Sequence, residues 1–185
     1  MKTNKCAKSK KTLKSNCALD GDSIGDSKFK MLLLNARSII NINKRLELES
    51  YVKINGYTIV AVTESWATPE ISDLELQLEG FVLFRKDRSV VRGGRGGGVL
   101  LYVSNALKCV SLDKLNSYKC ESVWVEIQED LGAKVILGVC YRSQSATELE
   151  VIDMFKVIGQ ASKGRCVIVG ISIIRTLIGK TWSIE

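Results

Sequence analysis

Seven short apolar runs, rich in β-branched residues and separated by polar or glycine-containing stretches, dominate the sequence between residues 29 and 170. They occupy residues 29–36, 57–65, 81–87, 97–104, 122–128, 134–142 and 166–170. Runs of this length and composition are typical of buried β-strands. Only residues 44–52 and 146–160 carry apolar side chains at helical spacing. Strands therefore outnumber helices, which predicts a single α/β sandwich domain rather than a doubly wound sheet.

The first 28 residues differ from the rest of the chain in composition. Six of the seven units of net positive charge come from lysines within residues 1–16, a stretch without an acidic residue. High charge with little apolar content predicts a disordered leader over residues 1–28. The leader is either a phosphate-binding tail or weak nuclear signal, or a passive solvated segment, and the sequence leaves these alternatives open.

Cysteine and histidine usage excludes several kinds of chemistry. The six cysteines form no CxxC pair, and the chain contains no histidine. The common Cys/His zinc layouts and any Ser-His or Cys-His nucleophile pair within the chain are therefore excluded. The thiols are expected to be reduced, and neither a secretory signal nor an apolar run of about 18 residues is visible. These features predict an intracellular protein, nuclear or cytoplasmic, that is neither secreted nor inserted in a membrane.

Two short motifs resemble phosphate- and RNA-binding sequences. Gly179-Lys180-Thr181 matches the end of a P-loop, but that pattern needs a glycine where Ile174 stands, so we reject a P-loop. The glycines and arginines of residues 92–98 resemble an RGG segment. Such segments are normally long and repetitive, whereas this one lies between two expected strands. A flexible hairpin connection is the better interpretation.

Polar residues stand where the expected strands end. The segments in question are NARSI (35–39), TESW (63–66), RKDR (85–88), GGGVLLYV (96–103), ESVWVEI (121–127), GVCYR (138–142) and CVIVG (166–170). In this order they resemble the endonuclease/exonuclease/phosphatase superfamily, and more narrowly the N-terminal endonuclease domain of jockey- and CR1-like non-LTR retrotransposons. The resemblance covers residues 30–170 and depends on all seven segments, because TES or GGG alone is not specific.

The resemblance implies a fold and a set of site residues. The fold is a four-layer α/β/β/α sandwich of the DNase I-like type, placed on residues 29–170. Glu64 would ligate Mg²⁺ or Mn²⁺, with Asn35 beside it at the metal and the phosphate, since carboxylate and amide oxygens suit hard cations. Tyr141 would donate a hydrogen bond to the scissile phosphate, and Arg142 would add charge nearby. Without the resemblance, Asn35 could merely cap a turn, and Glu64 and Tyr141 could be ordinary strand-end residues.

The partner that the resemblance implies is DNA. A basic cluster suited to contact with the DNA backbone consists of Arg85, Lys86, Arg88, Arg92 and Arg95, against one acidic residue, Asp87. A solvated loop explains the same cluster nearly as well.

The chain departs from the family after Gly170. The family continues with Asp-Phe-Asn, whose Asp acts on the attacking water and whose Asn helps to hold the phosphate, whereas this chain continues with Ile171-Ser172. The family's final Asp-His pair has no counterpart. Permissible codons for residues 171–174, with one base restored in front, encode Asp-Phe-Asn-Tyr. We therefore expect residues 171–185 to be an out-of-frame tail.

These departures predict a catalytically inactive remnant of a divalent-metal-dependent DNA endonuclease, of the kind that nicks target DNA for retrotransposition. A nucleic-acid-binding module without the chemistry is the alternative, and an active endonuclease with substitute groups is a third possibility. We also expect much of the second sheet to be missing. One sheet face would then be uncovered, which favours self-association through exposed strands.

Overall fold

The computed structural model describes residues 29–88, 96–117, 120–129 and 132–172, with the backbone alone for residues 171 and 172. The expected disordered leader and the P-loop-like motif lie outside the described residues. So does the expected out-of-frame tail from residue 173 onward. Its first two residues, Ile171 and Ser172, continue the last strand.

Within these ranges, eight strands form two four-stranded sheets. The first sheet contains β1 (Met31–Asn35), β2 (Ile59–Thr63), β3 (Phe81–Lys86) and β4 (Val99–Ser104), in the order β1-β2-β4-β3. The second contains β5 (Lys108–Ser111), β6 (Glu121–Gln128), β7 (Lys134–Arg142) and β8 (Cys166–Ser172), in chain order. The helices are α1 (Ile42–Asn55), α2 (Asp73–Leu76) and α3 (Glu148–Ala161), and a 3₁₀ turn spans Asp113–Leu115.

Each sheet contains one parallel pair of strands joined by a helix. Strands β1 and β2 run parallel with α1 between them in the chain, and β7 and β8 run parallel with α3 between them. The remaining pairs are antiparallel. Parallel pairing brings the carboxyl ends of neighbouring strands to the same edge, so Asn35 stands opposite Thr63. The loops that follow β1 and β2 therefore begin side by side.

The two sheets pack face to face, and the expectation of an uncovered sheet face is wrong. Ala61 and Leu101 of the first sheet lie in one apolar cluster with Val125 and Val139 of the second, and all four are fully buried. The physical reason is that β5–β8 already supply a second sheet, whose alternate residues face those of the first. Each buried Leu or Val side chain stabilises this core by about 1.5–3 kcal/mol. Self-association through edge strands stays a prediction, and Val167 of β8 is 44% exposed.

A helix covers the outer face of each sheet. Val52 of α1 packs in a cluster with Tyr102 of β4, while Met154 of α3 packs with Trp124 of β6. Trp124 is fully buried because Gly138 on the neighbouring strand leaves room for its ring, and a Cβ there would lie 2.2 Å from the ring. The layers are therefore helix, sheet, sheet, helix, as expected from the sequence. Among the described residues, no helix combines the length and apolarity needed to cross a membrane.

Candidate active site

Glu64 and Tyr141 meet at one end of the sandwich, although 77 positions separate them in the chain. Glu64 directly follows β2 of the first sheet, and Tyr141 is the penultimate residue of β7 in the second. The Tyr141 hydroxyl donates a hydrogen bond to Glu64 Oε1 at 2.8 Å. The contact bridges the two sheets, and it joins two residues to which the sequence assigned roles in the same site.

Tyr141 is held as a proton donor. Its side chain belongs to the core between the sheets and is 6% exposed. Burial, and after it the hydrogen bond to Glu64, raises the pKa of Tyr141 to about 12. The phenol is therefore protonated at neutral pH, and it can donate to a carboxylate or to a phosphate oxygen.

Asn35 ends β1 beside this pair. Its Oδ1 accepts a hydrogen bond from the Arg37 amide at 3.3 Å, so the side chain caps the turn that follows β1. Asn35 also stands opposite Thr63, the residue before Glu64. Thr63 is fully buried, and its hydroxyl has no hydrogen-bond partner within the part of the chain that the structure describes. The turn-capping interpretation of Asn35 thus holds, and it places an amide oxygen next to the Glu64 loop.

The two loops after β1 and β2 hold all four non-glycine residues with positive φ in the described ranges. These are Arg37 (φ 44°), Ser38 (φ 87°), Glu64 (φ 53°) and Trp66 (φ 59°). The left-handed region costs an L-residue about 1–2 kcal/mol, so each needs support from its surroundings. The support is a backbone ladder between the loops, in which the Ser38 amide donates to Glu64 O at 2.8 Å. Backbone strain of this kind concentrates at functional sites.

Gly96, Gly97 and Gly98 pack against the Glu64 loop. The Ser65 amide donates to Gly98 O at 3.1 Å, and the Trp66 amide donates to Gly97 O at 2.9 Å. All three glycines have positive φ, and a Cβ on Gly98 would lie 2.5 Å from Ser65 Oγ. The expected hairpin connection between the two strands is confirmed, since β3 and β4 pair antiparallel, and the close approach of Gly97 and Gly98 to their neighbours requires glycine there. Residues 89–95 of the same connection lie outside the described residues.

Glu121, which we did not single out in the sequence, completes the arrangement. It opens β6 opposite Tyr141, and only 5% of its surface is exposed. Its Oε1 accepts from Arg88 Nε at 2.7 Å, and its Oε2 accepts from the Gly98 amide at 2.7 Å. The available signal was an acidic residue at the head of an expected buried strand, since charged residues are rarely buried without a partner.

The basic residues assigned to DNA contact occupy different environments. Arg85 donates to Asp73 Oδ1 at 2.9 Å and also binds Asp87, with 15% of its side chain exposed. Arg88 is equally buried in its ion pair with Glu121. Their charges are therefore largely used within the fold. Lys86, at the end of β3, and Arg142, beside Tyr141 at the end of β7, are half-buried at the site end of the sheets.

The donor groups present suit a hard divalent cation. The Tyr141 hydroxyl donates to Glu64 Oε1, whereas Glu64 Oε2 has no protein partner among the described residues. The Asn35 carboxamide lies at the end of the neighbouring strand. No group of three His, Cys, Asp or Glu side chains is assembled within the described ranges. Mg²⁺ usually keeps several waters and takes one or two carboxylates from the protein, so a single carboxylate with an amide oxygen fits it.

Solved structures with a similar fold include two endonucleases and one endonuclease/exonuclease/phosphatase family protein. The endonuclease domain of TRAS1, a telomere-specific non-LTR retrotransposon, superposes with a TM-score of 0.55 and 14% identity, over 77% of this chain and 57% of that one. The AP endonuclease LMAP from Leishmania major gives 0.56 and 11%, over 77% and 54%. An endonuclease/exonuclease/phosphatase family protein from Leptotrichia buccalis gives 0.50 and 12%, over 76% and 66%.

The DNase I-like fold expected from the sequence is therefore confirmed, and the chain spans a little over half the length of the first two structures. No protein-family model matches the sequence, and neither does any curated protein sequence.

Proposed function

We propose that this chain is a remnant of a divalent-metal-dependent DNA endonuclease, which retains part of the metal and phosphate site but does not cleave. The observation that carries the proposal is the hydrogen bond of Tyr141 to Glu64 across the two sheets. It joins a carboxylate fit for a metal to a phenol fit for a phosphate, next to two strained loops.

Each site residue has a defined role in this proposal. Glu64 and the Asn35 amide oxygen would hold Mg²⁺ or Mn²⁺. The bound cation would neutralise charge on a phosphate and polarise its oxygens. In the free chain the Tyr141 hydroxyl orients the Glu64 carboxylate, and when DNA is bound the same O–H would instead donate a hydrogen bond to a phosphate oxygen. Lys86 and Arg142 supply positive charge to the DNA backbone.

We propose that the chain is inactive because hydrolysis needs a base that the assigned site residues do not supply. An attacking water requires a base, and removal of a general base typically lowers a rate by about 10²–10⁴. The chain contains no histidine, and no further carboxylate stands with Glu64 in a cluster of three within the described residues. In this proposal the site binds a cation and a phosphate, and none of the roles assigned to the described residues is that of a base for the attacking water.

The choice of DNA as the partner is supported by the structural neighbours. They include a retrotransposon endonuclease, an AP endonuclease and a zebrafish TDP2 complexed with a single-strand DNA product, the last with a TM-score of 0.50. The six lysines of residues 1–16 favour the alternative function, a nucleic-acid-binding module, because they would add phosphate contacts that need no catalytic groups. In either case we propose a nuclear or cytoplasmic protein.

A plasmid-nicking assay tests the proposal. Purified chain and its Glu64→Ala variant are incubated with supercoiled plasmid in Mg²⁺ or Mn²⁺, and the relaxed form is quantified. We expect no nicking above background from either protein. Metal-dependent nicking by the unsubstituted chain that disappears in Glu64→Ala would show an active enzyme, because a contaminating nuclease does not depend on Glu64. Salt-dependent DNA binding without nicking would support the binding module.

A further inference from the structure

Glu121 belongs to the second sheet, but its carboxylate accepts hydrogen bonds from groups of the first. It opens β6, and its two carboxylate oxygens accept from Arg88 Nε and from the Gly98 amide, each at 2.7 Å. Arg88 follows β3 and Gly98 precedes β4, which are neighbouring strands of the first sheet. The Glu121 carboxylate is thus buried at the point where the ends of the two sheets meet, and both of its oxygens are used.

The groups held by Glu121 in turn hold the loop that carries Glu64. Gly98 O accepts from the Ser65 amide at 3.1 Å, and Gly97 O accepts from the Trp66 amide at 2.9 Å. The Arg88 guanidinium packs against Gly97, and a Cβ on Gly97 would lie 2.3 Å from Arg88 Nε. A chain of contacts therefore runs from Glu121 through the glycine segment to the residues directly after Glu64.

Two neighbouring side chains of the second sheet thus act on the same loop. Tyr141, opposite Glu121 in the β6–β7 ladder, binds the Glu64 side chain directly. Glu121 acts on the backbone of the loop through Gly98. We propose that Glu121 is a positioning residue, which clamps the glycine segment and Arg88 so that the Glu64 loop keeps its strained backbone. Glu121 does not itself touch metal or DNA.

The chemistry of Glu121 suits this role. Glu64 and Trp66 both have positive φ, and such conformations persist only where the surroundings hold them. A carboxylate that accepts from a backbone amide forms a hydrogen bond roughly twice as strong as a neutral one. Arg88 supplies the opposite charge, without which the buried carboxylate would be strongly disfavoured. The inference rests on the proposed function in one respect, which is the expected effect on metal binding.

The test uses a variant designed to remain folded. Glu121→Leu alone would leave Arg88 buried without a partner, whereas Glu121→Leu/Arg88→Met replaces the pair with apolar side chains of similar size, a change that proteins often tolerate. The matched control is Glu126→Gln on the same strand, which removes a carboxylate that forms an ion pair with the exposed Lys134. Hydrogen exchange of the amides in residues 63–67 and 96–98 is compared with exchange in β6 and β7, and Mn²⁺ affinity is measured by electron paramagnetic resonance.

We expect the double variant to exchange the loop amides about tenfold faster, and to bind Mn²⁺ about tenfold more weakly, because the charge-assisted hydrogen bond from the Gly98 amide is lost. Exchange in the strands should not change, and Glu126→Gln should match the unsubstituted chain. A folded double variant with unchanged loop exchange would overturn the positioning role. If the unsubstituted chain binds no Mn²⁺, the proposed function fails, but the exchange comparison still decides the role of Glu121.

Discussion

Substitution of Gly97 by alanine tests whether the glycine segment is held as tightly as its contacts indicate. Gly97 and Gly132 have similar positive φ angles, +74° and +79°. A Cβ on Gly132 meets nothing within 4 Å, whereas on Gly97 it would lie 2.3 Å from Arg88 Nε. Gly132→Ala is therefore a matched control, which carries the backbone strain without the steric clash.

The expected losses of unfolding free energy follow from the backbone strain and from the steric clash. Left-handed backbone costs an alanine about 1–2 kcal/mol, of which about 0.4–1 kcal/mol is offset by the lower entropy of the unfolded chain. Gly132→Ala should thus lower the free energy of unfolding by about 1 kcal/mol. In Gly97→Ala the guanidinium must also move by about 1 Å to reach ordinary contact distance, which weakens the buried pair with Glu121. Loss of one partner of such a pair costs about 3–5 kcal/mol, and a partly re-formed pair should cost about 2–4 kcal/mol.

Urea unfolding followed by tryptophan fluorescence measures both variants. We expect Gly97→Ala to lower the free energy of unfolding by about 3–5 kcal/mol in total, against about 1 kcal/mol for Gly132→Ala. Equal losses, within about 0.5 kcal/mol, would mean that Arg88 moves aside without cost. In that case Arg88 would not be held by Glu121, and the account of the clamp would be refuted.

Three further predictions concern Tyr141, the leader and the sheet edges. Because the folded-state pKa of Tyr141, about 12, lies above its ordinary value of 10.0, its stabilising contribution is present below pH 10 and is lost as pH rises through 12. Tyr141→Phe should therefore reduce the fall in unfolding free energy between pH 10 and 12, and an identical fall in both proteins would contradict this. Deletion of residues 2–16 should weaken DNA binding and flatten its dependence on salt in fluorescence anisotropy, whereas unchanged affinity would mean that the lysines are passive. The edge strands β1 and β8 contain no charged residue, so we expect association that increases with concentration, and a sharp thermal transition of a monomer that is independent of concentration would contradict it.

The elements that could be predicted from the sequence are those with strong local signals. The α1 helix was expected at residues 44–52 and spans Ile42–Asn55, because Asn41 caps its first turn and Gly56 ends it in a left-handed conformation. The β5 strand was missed, since Lys108–Ser111 contains no apolar run and forms only by pairing with β6. The local sequence of a segment does not show which strand it will pair with.

The candidate site shows the same limit. The resemblance to a family brought Glu64 and Tyr141 together, because nothing in the spacing of 77 residues predicts their contact. Arg85 was assigned to DNA, but Asp73 from another part of the chain pairs with it. The role of Glu121 depends on Gly98, which also comes from the other sheet. Contacts between distant segments decide these roles, and one sequence does not show them.

Mn²⁺ binding at Glu64 tests the central claim most directly. Electron paramagnetic resonance measures free Mn²⁺ as the metal is titrated into the unsubstituted chain and into Glu64→Gln, which keeps the size of the side chain and its ability to accept from Tyr141. We predict one site in the unsubstituted chain, and a loss of affinity of at least about tenfold in Glu64→Gln, since a neutral amide is a weaker ligand than a carboxylate for a hard cation. Equal binding by the two proteins, or no binding by either, would contradict the claim that this end of the sandwich is a metal site.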